Sequence, residues 1–243
     1  MLKSFRTLLV ALLCVSGTSV FAFTFQPMFV RLDSSGAGNV QTFEVRNESD
    51  DNLAVRFSVL TRAVDQLGDE VNEDASNLFT IYPARIIVGP NSSSAVKLQW
   101  KGPAKLAAEG AYRLVAENVA LDAVGSPTSG IKVMFRYIAS IYVGDADFSP
   151  DLVCQVIGTT SAAGKNGYNV EIENRGTRHV VAEAASIRIN DGVNATDALD
   201  SSDLGSLSGA NYLPRNPRYL FIPKANAVPG RYYNAQLEYE SEY

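Results

Sequence analysis

The chain has 243 residues, 46% of them hydrophobic, and a formal net charge of −5, with one histidine and two cysteines. A mildly acidic chain lacks the basic surface that binding to nucleic acid or to an anionic membrane requires. A catalytic triad needs a base held beside a nucleophile, and metal sites usually need clustered His or Cys ligands. We therefore expect no enzyme activity, no catalytic residues, no metal and no cofactor.

The first 22 residues have the pattern of a secretory signal peptide. Lys3 and Arg6 form a basic start, an apolar stretch follows at residues 8–15, and Ala22 offers a small residue for cleavage. The apolar stretch is too short for a membrane anchor. Cleavage would leave 19 basic and 26 acidic residues and would remove Cys14, which excludes an internal disulfide. We expect an exported protein without membrane insertion, in which Cys154 is a small buried apolar residue.

Short alternating apolar and polar runs, separated by turn residues, continue through the rest of the chain. This pattern is typical of an all-β sandwich. The only helical pattern, around Pro103–Glu109, amounts to one or two turns at most. The first seven predicted strands, about the number in one immunoglobulin-like domain, are Phe23–Arg31, Val40–Asn47, Leu53–Arg62, Phe79–Val88, Ala95–Trp100, Ala111–Leu121 and Ile131–Val143.

The segment GDADFSP then interrupts the alternation and predicts a linker. A second, smaller sandwich follows, with strands at Leu152–Thr160, Tyr168–Asn174, Val180–Asn190, Arg218–Ile222 and Arg231–Tyr239. The predicted organisation is a signal peptide (1–22), a first domain (23–143), a linker (144–150) and a second domain (151–243).

Both predicted domains contain a strand, a turn with an asparagine and a second strand. The two segments are FEVRNESDDNLAVRFSVL and VEIENRGTRHVVAEAASI. His179 lies in the second segment, next to its turn, where we expect a local hydrogen bond. Glu70, Glu73 and Asp74 form an acidic cluster whose spacing matches no ordered calcium loop, so we expect a solvated surface.

The last strand of the first domain is unusually long and apolar. Ile131, Val133 and Phe135 begin an alternation that continues to Val143. Its thirteen residues compare with roughly five or six in an ordinary strand. Either these side chains all line their own core, or the first three project beyond it and add to the edge of an incomplete partner.

Several short motifs occur in a familiar order. Tyr82-Pro83, Gly89-Pro90, Tyr112-Arg113 and Arg136-Tyr137 are followed by YLPRNPRYLFIP in the second half. Together they resemble the periplasmic chaperones of the chaperone–usher pilus pathway, over nearly the whole mature chain. The Tyr-Arg and Arg-Tyr pairs are more similar to the archaic branch than to the P-pilus type.

This resemblance implies two immunoglobulin-like β-sandwich domains set at an angle, with a cleft between them. It also implies a periplasmic protein that caps pilus subunits by donor-strand complementation and delivers them to an outer-membrane usher. By matching position, the donor side chains would be Ile131, Val133 and Phe135, and the second edge that clasps the subunit would contain Phe23, Phe25 and Pro27. An exposed apolar edge also invites self-association, so a self-capped homodimer is a further expectation.

Members of this family anchor the terminal carboxylate of the subunit with cations in the cleft. The P-pilus type has a lysine where this chain has Ser140, and an arginine near Phe29, where Arg31 is displaced. We expect Arg113 to replace them, with Arg136 second, because a guanidinium binds a carboxylate through two hydrogen bonds.

Each of these arginines also has a structural alternative. For Arg113 it is an ion pair with Glu109 or Glu117, and for Arg136 it is a solvent-facing position on a strand.

Three other functions compete with the chaperone interpretation. A pilus subunit should be one domain with an amino-terminal donor extension, whereas this chain has two strand sets. An exported enzyme is disfavoured by the His and Cys counts. A sugar-binding adhesin would need exposed aromatic side chains clustered on loops, and Trp100, Tyr232 and Tyr233 lie on predicted strands.

Overall fold

The structure is a computed structural model that describes residues 23–65, 68–119 and 134–241. The strands of the amino-terminal half are β1 (Thr24–Gln26), β2 (Phe29–Leu32), β3 (Val40–Arg46), β4 (Leu53–Thr61), β5 (Ala63–Val64), β6 (Glu70–Val71), β7 (Phe79–Tyr82), β8 (Arg85–Val88), β9 (Ser93–Trp100), β10 (Gly110–Val119) and β11 (Arg136–Val143). Those of the carboxy-terminal half are β12 (Leu152–Ala162), β13 (Lys165–Asn174), β14 (Val180–Val181), β15 (Glu183–Asn190), β16 (Ala195–Leu199), β17 (Asn211–Tyr212), β18 (Arg218–Pro223) and β19 (Asn234–Glu240). The described helices are the short α-helix α1 (Ser201–Leu204) and 3-10 turns at Ala37–Asn39, Ser76–Leu78 and Gly205–Leu207.

Two sheets form the amino-terminal sandwich. One has the strand order β1-β3-β9-β7 and the other β2-β11-β10-β4-β8. Phe43, Val96 and Leu98 from the first sheet and Leu114 and Ile141 from the second are fully buried in one shared cluster. Because every second residue of these strands faces the other sheet, the alternation seen in the sequence becomes the core.

Two segments predicted as single strands are each divided between the two sheets. Phe23–Arg31 forms β1, which pairs with β3, and then β2, which pairs with β11 in parallel. Phe79–Val88 forms β7, which pairs with β9, and then β8, which pairs with β4. Each division contains a proline, Pro27 or Pro83, which has no N–H to continue a ladder. The helix predicted around Pro103–Glu109 is wrong, because that segment forms bends.

The carboxy-terminal sandwich has the sheets β12-β13-β18 and β16-β15-β19, with the short pair β14-β17 beside them. Its buried cluster is separate from the first and includes Tyr168, Val170, Ile187 and Tyr212. The all-β class with two sandwich domains is therefore confirmed, whereas the domain boundaries and the linker stay predictions. In the part of the chain that the structure describes, no helix is long and apolar enough to cross a bilayer.

The repeated asparagine turn has the same hydrogen bonds in both domains. Asn47 and Asn174 are each almost fully buried. Each side-chain oxygen accepts from the backbone N–H two residues later, at 3.0 Å in both cases. Each side-chain nitrogen donates to the carbonyl four residues later, at 2.7 Å, and to a carbonyl on a distant strand, that of Val88 at 3.1 Å or Tyr212 at 3.0 Å. One polar side chain thus closes the turn and ties it to a neighbouring strand.

We expect Asn47→Ala to destabilise the amino-terminal domain by about 2–4 kcal/mol, because it leaves several buried backbone groups without their partner. Trp100 is the only tryptophan and lies in the amino-terminal cluster, so its fluorescence during urea unfolding reports on that domain. Asn52→Ala, at an exposed position nearby, is the control and should change stability by less than about 0.5 kcal/mol. Equal midpoints for the two variants would contradict this role of Asn47.

Candidate functional site

Strand β11 has one edge that is only partly covered. Strand β2 pairs with it at residues Ser140 to Val143, and the N–H of Ser140 donates to the carbonyl of Met28 at 2.8 Å. Backbone groups of alternate residues point the same way, so the N–H and C=O of Arg136 and Ile138 are directed to this same edge. Among the described residues, no strand pairs with them there. This edge is open to an added strand.

Strand β1 forms a second open edge, on the opposite sheet. Among the strands that the structure describes, it pairs only with β3. The side chains of Phe23 and Phe25 are buried, with Phe23 edge-on to Tyr137 at 4.6 Å and Phe25 stacked on Phe43 at 5.3 Å. They stabilise the core, so any contact that β1 makes with a partner strand would use its backbone. Pro27, half-buried, follows where the chain leaves this sheet.

Of the three predicted donor residues, the structure describes only Phe135, and Ile131 and Val133 lie outside the described residues. Phe135 is half-buried and packs against the amino-terminal cluster. Its N–H donates to the side chain of Asn118 at 2.6 Å, and its carbonyl accepts from the N–H of Asn118 at 3.1 Å. Phe135 thus faces the gap between the sheets at the place where the edge is open.

The expected carboxylate anchor, Arg113, already binds a carboxylate of its own chain. Its Nε and Nη2 atoms donate to the two oxygens of Glu70 at 2.8 and 2.5 Å, and its Nη1 donates to the hydroxyl of Ser140 at 2.5 Å. Arg62 Nε also binds Glu70, at 3.1 Å. We name Arg62, Glu70 and Arg113 the arginine cluster. Glu70 is exposed, as are Glu73 and Asp74, so the expected solvated surface is confirmed, although the carboxylate of Glu70 is also paired with Arg113 and Arg62.

The two ion pairs expected as alternatives for Arg113 do not form, because Glu109 and Glu117 each pair with other residues. Glu117 pairs with Arg56 at 2.5 Å, and Glu109 pairs with Arg31 at 3.5 Å and with His179.

The opposite charges of Arg113 and Glu70 stabilise each other. The hydrogen bond from Arg113 lowers the pKa of Glu70 and raises that of Arg113 itself.

Arg136 lies apart from the arginine cluster. It is exposed, and its Cα partner across the sheet is Glu117, four residues along β10 from Arg113. That separation is about 13 Å at ~3.3 Å per residue. Because Arg113 faces Ser140 and Arg136 faces Glu117, the two arginines occupy different parts of the same strand pair.

His179 and Tyr142 join the two domains. The His179 ring is fully buried and stacks on Tyr142 with ring centroids 3.6 Å apart. Its backbone N–H donates to Glu109 at 2.9 Å, and its Nδ1 contacts the same carboxylate. This hydrogen bond to Glu109 is not local, because the two residues are 70 positions apart. Sequence periodicity does not reveal such a distant pair.

The same tyrosine connects this interface to the arginine cluster. Its hydroxyl accepts from Arg62 at 2.5 Å and from Asn211, in the second domain, at 2.7 Å. Val64, Tyr142 and Leu213 form a small apolar cluster between the domains. Arg62 and Asn211 therefore donate to the same hydroxyl, which links the arginine cluster to the second domain.

Cys154 packs partly buried against the carboxy-terminal cluster. Burial and, to a smaller extent, the nearby Glu171 raise the pKa of its thiol to about 12. It is thus protonated at neutral pH and a poor nucleophile. Within the described ranges, no group of three or more His, Cys, Asp or Glu side chains is placed to hold a metal ion.

No model of a known protein family and no curated protein matches the sequence. Solved structures do match over most of the chain. The Class 5 fimbriae chaperone CfaA is 19% identical with a TM-score of 0.59, and the match covers 91% of this chain and 94% of that one. The chain has the fold of the fimbrial chaperones.

Two complexes are among the other matches. One is the CsuC–CsuE chaperone–tip adhesion subunit complex of the archaic Csu pili of Acinetobacter baumannii, with 13% identity, a TM-score of 0.59 and coverage of 86% of this chain and 90% of that one. The other is the Salmonella enterica SafA pilin with the SafB chaperone, with 15% identity, a TM-score of 0.52 and coverage of 85% and 86%. At these identities the comparisons confirm the fold that the sequence motifs implied.

The contribution of Glu70 to stability should depend on pH. Its folded-state pKa is lowered, so the ion pair stabilises the fold above the ordinary glutamate pKa of about 4.3 and is lost as the pH falls through the lower folded-state value. We expect Glu70→Gln to cost about 1–2 kcal/mol at pH 7 and less with each step down in pH below about 4. Urea unfolding followed by Trp100 fluorescence measures this difference. A difference from wild type that stays constant down to pH 3, as expected for the exposed control Glu73→Gln, would contradict the ion pair.

Proposed function

We propose that this chain is a periplasmic chaperone that caps pilus subunits by donor-strand complementation and delivers them to an outer-membrane usher. The observation that carries the proposal is the open edge of β11, beside an arginine cluster, in the fold of fimbrial chaperones. Strand addition is a known mode of protein recognition, and pairing between chaperones and pilins is one of its examples.

The backbone supports such pairing on two sides. The outward groups of Arg136 and Ile138 can pair with a strand of the subunit, and the free side of β1 offers a second place to pair. The donor side chains would be Ile131, Val133 and Phe135. Each buried Val, Ile or Phe contributes roughly 1.5–3 kcal/mol, so three together would dominate the affinity.

The position of Arg113 supports its role as the anchor. Phe29 and Ser140, where the P-pilus type has its cations, are direct Cα partners in this structure. Arg113 is the Cα partner of Ser140 on its other side. We propose that Arg113 supplies the positive charge from the neighbouring strand, whereas Arg136, exposed and further along, contacts the subunit near the start of β11.

The described residues do not favour a sugar-binding adhesin. Trp100 is 3% exposed and its ring packs on Phe79 and Tyr112. Tyr232 is exposed, but Tyr233 beside it is buried. When no subunit is bound, the open edge is available to a second copy of the chain, and we propose a self-capped homodimer for that state.

The proposal is tested by affinity capture of the tagged mature protein from its native periplasm, followed by mass spectrometry. We expect a stoichiometric small secreted β-protein to co-purify. Phe135→Arg should reduce its amount at least about tenfold, since a charge replaces an apolar donor and 1.4 kcal/mol corresponds to a factor of ten. Arg113→Ala should also reduce it.

The controls place matched changes away from the site. Ile87→Arg introduces a charge at an exposed position on β8, the far edge of the same sheet, and Arg85→Ala removes an exposed arginine from the same strand. Both should capture as wild type does. A partnerless wild-type protein from cells that make surface fibres would contradict the proposed function.

A further inference from the structure

The site proposed for the terminal carboxylate of a subunit is occupied by Glu70. Both oxygens of Glu70 accept hydrogen bonds from Arg113, at 2.8 and 2.5 Å. A two-point pair between a guanidinium and a carboxylate is the strongest geometry that such groups form. It is also the geometry in which Arg113 would hold a subunit carboxylate.

Arg113 has little capacity for a second partner. A guanidinium has five N–H groups. Glu70 uses the edge formed by Nε and Nη2, and Ser140 accepts from Nη1 at 2.5 Å. The side chain is only 18% exposed. Three of the five N–H groups are thus engaged, and a second carboxylate can obtain the two-point pair with Nε and Nη2 only by replacing Glu70.

If a subunit carboxylate replaced Glu70 on Arg113, Arg62 would remain available as a second cation. Arg62 Nε donates to Oε2 of Glu70 at 3.1 Å, the oxygen that Arg113 Nη2 also binds. Arg62 in turn donates to the hydroxyl of Tyr142, which fixes its position. The pKa of Arg218 is lowered, mainly by its burial and also by the charge of Arg62, so a third guanidinium contributes to the local positive field. Two arginines that share one carboxylate have a net positive charge, which favours a second carboxylate.

We propose that Glu70 is an internal competitor for the subunit's terminal carboxylate and determines which ligands Arg113 accepts. This inference rests on the proposed function. A side chain held beside its partner acts at an effective concentration on the order of millimolar or higher, so it excludes free carboxylates. A subunit that is already paired along β11 presents its carboxylate at a similar effective concentration and can displace Glu70. Glu70 thus makes carboxylate binding depend on strand pairing.

The competition can be measured without a subunit, with acetate as the probe. The Arg113 Nε–H resonance is followed by NMR while acetate is added to wild type, Glu70→Gln and Glu73→Gln. Removing the competitor should lower the acetate concentration at half-change at least about tenfold in Glu70→Gln. Glu73→Gln, which removes a nearby exposed charge, should titrate as wild type does. Coinciding curves for all three proteins would overturn the proposal.

Retention of the captured subunit is the second measurement. Glu70→Gln should release it at least about tenfold more slowly than wild type, although the same change destabilises the free protein. A merely structural role predicts the opposite, a faster release. Glu70→Asp keeps the charge but shortens the side chain, so it provides a second variant with an intermediate rate if Glu70→Gln folds poorly.

The outcomes separate this inference from the proposed function. If wild type captures a subunit, Arg113→Ala loses it and Glu70→Gln releases it no more slowly, the competitor role is overturned and the chaperone function stands. If no variant captures a subunit, the proposed function is overturned, and the acetate titration alone then decides whether Glu70 blocks Arg113.

Discussion

The open edge of β11 is the constraint on which the rest of the site depends. Sheet edges in soluble proteins are usually covered, twisted away or blocked by charge, because an unpaired row of N–H and C=O groups recruits other strands. Here β2 covers the edge from Ser140 onward and leaves Arg136 and Ile138 uncovered. The inward side chains of the same strand are packed in the core, so the edge is held rigid for a partner.

The interface between the domains places the charges next to that edge. Tyr142 belongs to β11, stacks on His179 and accepts a hydrogen bond from Arg62. A single strand therefore contributes the open edge, the hydroxyl of Ser140 that binds Arg113, and the ring that joins the domains. Movement of one domain against the other would disturb the arginine cluster, so the contacts at His179 stabilise the site as well as the interface.

The sequence predicted the strands well because alternation with a period of two is a local signal. It did not predict that Phe23–Arg31 and Phe79–Val88 each divide between two sheets. The buried positions change from odd to even residue numbers at both divisions, and the exposed apolar residues Phe29 and Ile87 hide that change. It also missed α1, whose Asp200 accepts from the N–H groups of Ser202 and Asp203, because Ser and Asp are equally common in loops.

The site was predicted less completely. The order of short motifs, which resembles that of pilus chaperones, led to the proposal of Arg113, whereas its partner Glu70 lies 43 residues away and has no local signature. The pairing of His179 with Glu109 was missed for the same reason, because the two residues are 70 positions apart. The feature that brings Glu70 to the site is the short antiparallel pair β5–β6, which places Glu70 opposite Val64. The asparagine turns were the exception, because the repeat was visible in the sequence and both asparagines make the same bonds.

Hydrogen exchange at individual amides of β11 is the most direct test of strand addition. In the free monomer, the amides of Arg136 and Ile138 should exchange quickly, whereas that of Ser140, which already donates to Met28, should be protected. When the captured subunit is bound, Arg136 and Ile138 should become protected by a factor of about one hundred or more, as expected for amides that enter a ladder. Unchanged exchange at these two amides in a saturated complex would contradict the account.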